Sequence, residues 1–353
     1  MALKLGLNLG YWGIGPQGEE AVEIVRAAER AGFDSVWAAE SYGSDVVSVL
    51  AWLAPQTETI KLGGAIMQVP ARAPAAAAMA GCTIDALSGG RFIFGFGPSG
   101  PQVSEGWYGV PYAKPWGRTR EYVEIVRRVV AREDRLAYEG EHFTLPLPDG
   151  EGKALKLNFH PVRSRIPIFL GAIGRRSVEL AAEIAEGWIP IFSSPDAFVA
   201  TWGEHLEAGL AKGGRERSEL EVSPTVQVAI DGDLDAARAV VRAGLLLYLG
   251  GMGSRKTNFY VDLTHRFGFG EVADEVQGLY LDGKREEAYK AIPDELVSAT
   301  ALVGTEAEVA ERIDRYAAAG VDRLIVSPIS PEPEQRLRTV DRLAALAGVA
   351  APA

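Results

Sequence analysis

The sequence predicts an α/β protein built as a single (β/α)8 TIM barrel with insertions at its C-terminal mouth. Three observations support this prediction. Helical patterns end in glycine just before short β-rich runs, these runs are almost entirely apolar, and eight of them occur along the chain. Short apolar runs are typical of parallel strands covered on both faces, and strands that alternate with helices form parallel sheets. Eight such units favour a closed barrel over an open doubly wound sheet.

The junction between a helix and the following strand is the repeated unit of the chain. Glycine marks the end of a helical pattern at Gly32, Gly187 and Gly320, and an apolar run begins within a few residues of each. Glycine just past a helix accepts the left-handed backbone that closes the last turn. We therefore expect a helix-to-strand junction at each of these glycines.

Strands and helices can be placed from the spacing of apolar residues. The candidate strands lie near residues 3–9, 34–39, 60–66, 91–96, 167–172, 187–192, 221–230 and 322–328. Apolar residues at 3.6-residue spacing predict amphipathic helices. These patterns cover residues 21–31, 45–54, 75–87, 119–132, 175–185, 196–212, 305–319 and 334–347.

A single domain is expected to span residues 1–353, because no linker rich in Ser, Gly or Pro divides the chain. Three segments interrupt the strand and helix pattern, at about residues 97–118, 138–165 and 244–297. Insertions after barrel strands usually shape the mouth where ligands bind. We expect these segments to surround the functional site.

Composition and charge exclude several classes of partner. The 353 residues carry 36 Lys and Arg against 47 Asp and Glu, a formal charge of −11, which gives no general attraction to nucleic acid or to an anionic membrane. No apolar stretch approaches the ~20 residues needed to cross a bilayer, and the start of the chain lacks the apolar run of a signal peptide. The single Cys82 forms no internal disulfide, so a cytoplasmic location is expected.

Residues Gly95 to Gly100 satisfy the GxGxxG pattern of dinucleotide-binding proteins and follow a predicted strand. In a Rossmann fold the third glycine lies in a helix that begins at once. Here the glycines and prolines between Pro101 and Pro115 predict no helix before about residue 118, which argues against a nicotinamide site. The segment is either a flexible loop or a place where the backbone passes close to a flat ring.

The segment from Gly174 through Arg175 and Arg176 to Ser177 lies between an apolar strand and an amphipathic helix. A helix start offers unpaired N–H groups and the positive end of the helix dipole, and two arginines add charge. The segment is therefore either a phosphate-binding site or an ordinary turn with solvated arginines.

Glu40, Ser41 and Tyr42 follow the second predicted strand, where catalytic groups of barrels collect, although Glu40 could equally cap the next helix. Four aromatic residues of the 97–118 segment could form a stacking surface for a planar ligand or could pack beneath the loop. These residues are Trp107, Tyr108, Tyr112 and Trp116. The four histidines are scattered, with no metal-binding spacing, so no metal site is expected.

Several of these segments together resemble the luciferase-like monooxygenase superfamily, and within it the branch of oxidoreductases that depend on the deazaflavin coenzyme F420. The LSGGRF stretch followed by Gly95-Phe96-Gly97, and the order of the segments, carry the resemblance, which covers almost the whole chain. The matching segments are Ile60–Ile66, Leu87–Gly95, Arg118–Tyr122, Pro167–Gly174 and Ala185–Gly187.

The resemblance implies a (β/α)8 barrel, typically dimeric, that binds a flavin-like ring at its C-terminal mouth. It also implies a non-prolyl cis peptide between Ala65 and Ile66, with Ile66 behind one face of the ring. By the same matching, Glu40 and Ser41 lie near the polar edge of the ring, and Gln68 and Ser104 contact the ring or its side chain. The backbone from Gly174 through Arg175 and Arg176 to Ser177 holds the cofactor phosphate.

The activity implied is hydride transfer between F420 and a small, largely apolar organic substrate, such as a carbonyl compound, an imine or an activated alkene. Sugar-phosphate dehydrogenases of this branch have Asp-His after the second strand, where this chain has Glu40-Ser41, which argues against a sugar phosphate. Glu40 and Tyr42 are the candidate proton-transfer residues, with Tyr108 as a further candidate. An FMN-dependent two-component monooxygenase and a non-catalytic cofactor carrier are the alternatives. A homodimer is expected.

Overall fold

A parallel β-sheet, curled on itself and surrounded by helices, forms the centre of the protein, as described by a computed structural model. The structure describes residues 3–10, 18–253, 255–256 and 258–349. Within these residues, no helix has the length and hydropathy needed to span a bilayer.

The strands are short, as the apolar runs predict. They are β1 (Lys4–Asn8), β2 (Ser35–Ala38), β3 (Lys61–Gly64), β4 (Met67–Gln68), β5 (Phe92–Gly97), β6 (Tyr138–Glu139), β7 (Thr144–Leu145), β8 (Ile168–Gly171), β9 (Gly187–Ile189), β10 (Glu221–Val222), β11 (Thr225–Ile230), β12 (Ala301–Gly304) and β13 (Arg323–Pro328). Each of the eight predicted strand regions contains a strand of the sheet.

Strand order explains how the sheet curls. β1 pairs in parallel with β2 and β13, and parallel pairing continues from β2 through β3, β5 and β8 to β9. Residues 221–230, which include β10 and β11, pair with β9 on one side and with β13 on the other. The carboxyl ends of these strands therefore meet at one rim. β12 extends the sheet outward from β11.

Helices follow the strands and cover the outer face of the sheet. They are α1 (Glu19–Arg30), α2 (Val46–Leu53), α3 (Pro74–Leu87), α4 (Pro101–Ser104), α5 (Pro115–Ala131), α6 (Arg175–Ile184), α7 (Phe198–Gly213), α8 (Leu234–Leu246), α9 (Phe259–Arg266), α10 (Gly270–Leu281), α11 (Arg285–Lys290), α12 (Asp294–Thr300), α13 (Glu306–Ala318) and α14 (Pro333–Leu346). A π-helical turn, Leu247–Gly251, continues α8.

The apolar core divides into three clusters. The largest lies between the sheet and its surrounding helices. A second cluster lies among the helices of the 244–297 segment, and a third fills the inside of the curled sheet. The third cluster contains Trp37, Ile93, Phe169, Ile189 and Ile325. Ala65 and Ile66 pack against this inner cluster, which connects it to the rim.

Two details of the structure differ from the sequence predictions. α4 begins at Pro101, directly after Gly100, so the expectation of no helix before about residue 118 is wrong. Proline is tolerated in the first turn of a helix, where its missing N–H would have no partner. Gly187 is not a helix cap but the first residue of β9. A Cβ at this position would lie 2.4 Å from the Phe169 ring, so close packing explains this glycine.

The three predicted interruptions are present, with more regular structure than expected. The 97–118 segment contains α4, the 138–165 segment contains the antiparallel pair β6 and β7, and the 244–297 segment is largely helical. Neither α8 nor β12 was anticipated from the sequence. Strand β12 is only four residues long and follows α12 directly, so no turn residue marks its start.

The LSGGRF stretch has a structural role in the described fold. The Arg91 guanidinium donates hydrogen bonds to backbone oxygens of Ala54, Thr57 and Ser88, which join the end of α2 to the start of β5. Asp85, which is fully buried, accepts a hydrogen bond from the Phe92 N–H and pairs with the Arg163 guanidinium. These contacts explain how the Asp85 carboxylate can be buried here.

Charged residues close the amino-terminal end of the sheet. Arg323, only 1% exposed, pairs with Asp34 and with Glu221, whose Oε1 lies 2.6 Å from Nη1. Its guanidinium carbon lies 5.6 Å from the Trp37 ring centre and 5.8 Å from that of Phe169. Burial would raise the pKa of Asp34, but Arg323 and Lys61 hold it below its ordinary value. This end of the sheet is therefore a packed ionic layer rather than an opening.

Candidate active site

The predicted site residues gather at the carboxyl-end rim of the sheet. Glu40 lies two residues beyond the end of β2, Gln68 is the last residue of β4, and Ser104 is in α4, which follows β5. Gly174 lies three residues beyond the end of β8 and caps α6. Because neighbouring parallel strands end at the same edge, the structure places these residues along one side of the rim.

The peptide bond between Ala65 and Ile66 is cis, as the resemblance implies. The Ile66 side chain lies against two glycines. A Cβ at Gly97 would lie 2.0 Å from Ile66 Cδ1, and one at Gly171 would lie 2.9 Å from Cγ2. Real Cβ atoms do not approach other atoms this closely. The two glycines, from β5 and β8, therefore make the space that Ile66 occupies at the rim.

Glu40 is buried and held by two partners. Its Oε1 accepts a hydrogen bond from Arg72 Nη2 at 2.7 Å, and its Oε2 accepts from Arg72 Nη1 at 2.8 Å and from the Gln68 backbone N–H at 2.9 Å. The residue is 5% exposed. Burial alone would lower the pKa of Arg72, but the hydrogen bond and charge of Glu40, together with Asp45, raise it above its ordinary value. Glu40 is a fixed, fully paired anion.

Gln68 has a buried acceptor atom with no partner. Its Nε2 donates to the backbone oxygen of Glu40 at 2.8 Å, which fixes the direction of the side-chain amide. Its Oε1 has no hydrogen-bond partner among the described residues, although the residue is only 4% exposed. Buried amide oxygens are normally satisfied. An N–H donor from a ligand would satisfy this one.

The side chains after Glu40 differ in accessibility. Tyr42 is 56% exposed, whereas Glu40, two positions earlier, is buried, so the two side chains have different surroundings. Ser41 is partly buried, and its backbone oxygen accepts a hydrogen bond from the Tyr108 hydroxyl at 2.9 Å. Burial, and next the negative charge of Glu40, raises the pKa of Tyr108, which keeps its phenol protonated. Ser41 is therefore the chain neighbour of Tyr42 and the hydrogen-bond partner of Tyr108.

Ser104 stabilises the loop that carries the aromatic residues. Its hydroxyl donates to the Val110 oxygen at 2.7 Å, and the Val110 N–H donates back to the Ser104 oxygen at 2.8 Å. The Tyr112 hydroxyl donates to the backbone oxygen of Ser99, and Trp116 packs against the main core. Trp107 alone among these four aromatics is largely exposed, at 66%. Packing beneath the loop therefore accounts for most of this aromatic group.

The start of α6 presents positive charge to the rim. Ser177 Oγ donates to the Gly174 oxygen at 2.6 Å and closes the first turn. Arg175 and Arg176 are exposed, and neither pairs with a carboxylate among the residues that the structure describes. The first N–H groups of a helix lack partners within it. This arrangement can bind an anion.

Arg266, at the end of α9, lies near the start of α6 and was not anticipated from the sequence. Its Nη1 is buried without a hydrogen-bond partner in the described part of the chain. Burial, followed by the positive charge of Arg175, lowers the pKa of Arg266. Two arginines that repel each other at a helix start would be stabilised by an anion between them. Its position within an inserted segment gave no signal that could have identified it.

Within residues 3–10, 18–253, 255–256 and 258–349, no group of three or more His, Cys, Asp or Glu side chains could hold a metal ion.

Arg72, which the sequence predictions omitted, proves to be the main partner of Glu40. The two residues are 32 positions apart, so no local spacing pattern connects them.

Residues 9–323 match the family model described as luciferase-like monooxygenase. The chain is 48% identical, over 94% of its length and 96% of the relative's, to a Mycobacterium tuberculosis protein provisionally named a coenzyme F420-dependent oxidoreductase. It is 32% identical, over 90% of its length and 92% of the relative's, to a 5,10-methylenetetrahydromethanopterin reductase of Archaeoglobus fulgidus.

A solved structure also matches the fold. The coenzyme F420-dependent tetrahydromethanopterin reductase from Methanopyrus kandleri superposes with a TM-score of 0.80, covering 98% of each chain at 24% sequence identity. At that identity the likeness concerns the fold, including the curled sheet with its surrounding helices.

Proposed function

Because the chain belongs to the luciferase-like monooxygenase family, we propose that it is an F420-dependent oxidoreductase with a small organic substrate. The substrate would be a carbonyl compound, an imine or an activated alkene. The similarity to a relative provisionally named for this coenzyme supports the proposal, since it extends over 94% of the chain. The curled sheet would then be a (β/α)8 barrel within one domain, to which β12 is an addition.

The buried, unpaired Oε1 of Gln68 is the observation that carries the proposal. It lies two residues beyond Ile66, and its amide direction is fixed by Glu40. A ring system with a pyrimidine N–H fits this acceptor, and Ile66 would back the ring. Ser41 and Ser104 would lie along the same side. When bound, F420 supplies or accepts a hydride at C5 of its ring.

The start of α6 would hold the cofactor phosphate. Backbone N–H groups between Gly174 and Ser177 would donate to its oxygens, and Arg175 and Arg176 would add charge. The unpaired Nη1 of Arg266 gives this placement independent support, because an anion there would satisfy it. The residues of the chain therefore fit both the ring and the anionic part of such a coenzyme.

Tyr42 is the proposed group for the proton that accompanies the hydride. Its phenol is exposed at the rim, whereas both oxygens of Glu40 already accept hydrogen bonds. Glu40 would contribute as a fixed negative charge that positions Gln68 and Arg72. Tyr108 is the alternative proton donor, and its raised pKa keeps it protonated near neutral pH.

A second copy of this chain is the proposed partner, bound through α2 and α3. These two helices pack together and contain a single charged residue, Asp85, which is buried. Trp52, Met79 and Leu87 are exposed on their outer surface. An uncharged surface that contains large apolar side chains is typical of an interface, and a twofold dimer would pair it with itself.

Titration of the purified chain with F420 and with FMN tests the proposed cofactor. We expect saturable binding of F420, followed by fluorescence, and weaker binding of FMN. Tight FMN binding without F420 binding would favour a flavin-dependent monooxygenase. Stopped-flow absorbance with a panel of ketones, imines and enones then separates an enzyme from a carrier, because a carrier would leave the deazaflavin spectrum unchanged.

A further inference from the structure

The 244–297 segment brings two tyrosines onto a phenylalanine at the carboxyl end of β9. Phe192 lies 4.7 Å from Tyr248 and 5.5 Å from Tyr260, measured between ring centres, and the two tyrosines are 4.7 Å apart. The interplanar angles lie between 56° and 76°. We call Phe192, Tyr248 and Tyr260 the aromatic trio. None of them has a role in the site described above.

Two members of the trio have unusual backbone surroundings. Phe192 has a φ of +56°, in the left-handed region that bulky residues rarely adopt. Tyr248 belongs to the π-helical turn Leu247–Gly251. Left-handed bulky residues and π-helical turns both concentrate at ligand sites. A backbone of this kind needs support from its surroundings.

Asn258 supplies that support through a single buried side chain. Its Nδ2 donates to the backbone oxygens of Tyr248, at 3.1 Å, and Leu249, at 2.7 Å. Its Oδ1 accepts from the N–H groups of Tyr260, at 2.9 Å, and Val261, at 3.4 Å. One amide therefore joins the π-helical turn to the start of α9. It fixes the two tyrosines relative to each other.

The trio lies on the same rim as the proposed ring site. Ile189, three residues before Phe192, belongs to the inner cluster against which Ile66 packs. All three rings are partly exposed, although Leu249 and Val261 beside them are buried. The rings therefore combine a rigid support with a surface that a ligand can reach.

We propose that the aromatic trio is the substrate-recognition surface and that it takes an uncharged group containing a planar conjugated ring. The inference rests on the proposed function and specifies its substrate. Rings held edge to face offer both faces and edges to a flat partner, which a saturated ring cannot use in the same way. Arg175 and Arg266, the latter six residues beyond Tyr260 on α9, disfavour a cationic ligand.

Two bicyclic ketones with the same carbon skeleton test the inference. 1-Tetralone contains a planar aromatic ring, and trans-1-decalone is fully saturated. Their dissociation constants for the full chain, with and without saturating F420, are measured by ligand-observed NMR. We expect 1-tetralone to bind about tenfold more tightly. Tyr248→Leu or Tyr260→Leu should reduce this ratio below about twofold, whereas Tyr248→Phe and Tyr260→Phe, which keep the ring, should preserve it.

Trp107→Leu is the matched control, because Trp107 is the exposed aromatic of the other loop at the rim. The ratio of the dissociation constants of the two ketones for this variant should equal the ratio for the parent protein. Circular dichroism checks that each variant is folded. A ratio near one in the parent, no binding of 1-tetralone, or a loss of the ratio in Trp107→Leu would overturn the inference. A ratio that depends on Tyr248 and Tyr260 without any F420 binding would instead overturn only the proposed cofactor.

Discussion

Glu40 and Arg72 form a two-point ion pair at the rim of the sheet, with both carboxylate oxygens within 2.8 Å of a guanidinium nitrogen. The pair also fixes Gln68. The Glu40 carboxylate accepts a hydrogen bond from the Gln68 backbone N–H, and the Glu40 backbone oxygen accepts one from the Gln68 side-chain amide. The position of the unpaired Gln68 oxygen therefore depends on a charge pair. Under the proposed function, proton transfer would therefore fall to a less constrained side chain.

Replacing Arg72 by leucine should destabilise the protein by about 3 to 5 kcal/mol, because a buried carboxylate would lose its partner. Urea unfolding at pH 7 measures this loss. Arg338→Leu, at an exposed position of α14, is the control and should change the free energy of unfolding by no more than about 0.5 kcal/mol. Equal effects of the two substitutions would show that the pair contributes little.

Replacing Gln68 by methionine should weaken F420 binding about tenfold, the equivalent of one hydrogen bond to a buried acceptor. Methionine keeps the length of the side chain and removes both the unpaired oxygen and the Nε2 that donates to Glu40. A fluorescence titration measures the dissociation constant. Gln56→Met, on the surface beyond α2, should bind F420 like the parent chain. Unchanged affinity in Gln68→Met would remove the main support for the placement of the ring.

Gly97→Ala should cost about 1 to 3 kcal/mol, since the added Cβ would lie 2.0 Å from Ile66 Cδ1. In an Ile66→Ala background the same substitution should cost less than about 0.5 kcal/mol, because the obstructing atoms are gone. Chemical unfolding of the four proteins gives the coupling energy. Additive effects would mean that Ile66 does not occupy the space above Gly97.

Asp34 should make stability dependent on pH at acid values. Its pKa in the folded protein lies below the unfolded value of about 3.9, so its contribution is complete above about pH 5. That contribution is lost as pH falls through the lower, folded pKa. The difference in unfolding free energy between the parent and Asp34→Asn should therefore shrink between pH 5 and strongly acid conditions. A constant difference across this range would contradict the assignment.

Met79→Glu should convert the proposed dimer to a monomer, because it places a charge on the uncharged surface of α3. Light scattering after size-exclusion chromatography measures the molar mass. Val240→Glu, at an exposed position of α8, is the control and should leave the mass unchanged. A monomeric parent protein would refute the dimer itself.

Sequence patterns predicted the eight strand regions well, because apolar runs between helix ends are a local signal. Glu40 and Gly174 also follow from their positions after strands, whereas Gln68 and Ser104 come only from the family resemblance. Arg72, Arg266 and Phe192 could not be found in this way. The importance of each depends on a partner far away in the chain. Phe192 also has a left-handed backbone without being a glycine, the residue type that usually marks that conformation.

α4 and Gly187 show two limits of residue-type rules. The glycines and prolines between Pro101 and Pro115 predict no helix, yet Pro101 occupies the first turn of α4, where a helix accepts proline. The place of Gly187 after a helical pattern predicts a helix cap, yet close packing against the Phe169 ring explains this glycine. Proline can end a helix or begin one, and glycine can serve through its conformational freedom or its small size. In both cases the tertiary surroundings decide which property matters.

α9 carries Tyr260 near its first turn and Arg266 at its last residue, about 9 Å further along its axis. If the proposals above hold, this one short helix binds the coenzyme phosphate at one end and selects the substrate at the other. Mutations that tilt α9 so that a different substrate can bind would also move the Arg266 guanidinium away from the phosphate. New substrate preferences should therefore arise by substitution of residues of the aromatic trio, while α9 keeps its orientation.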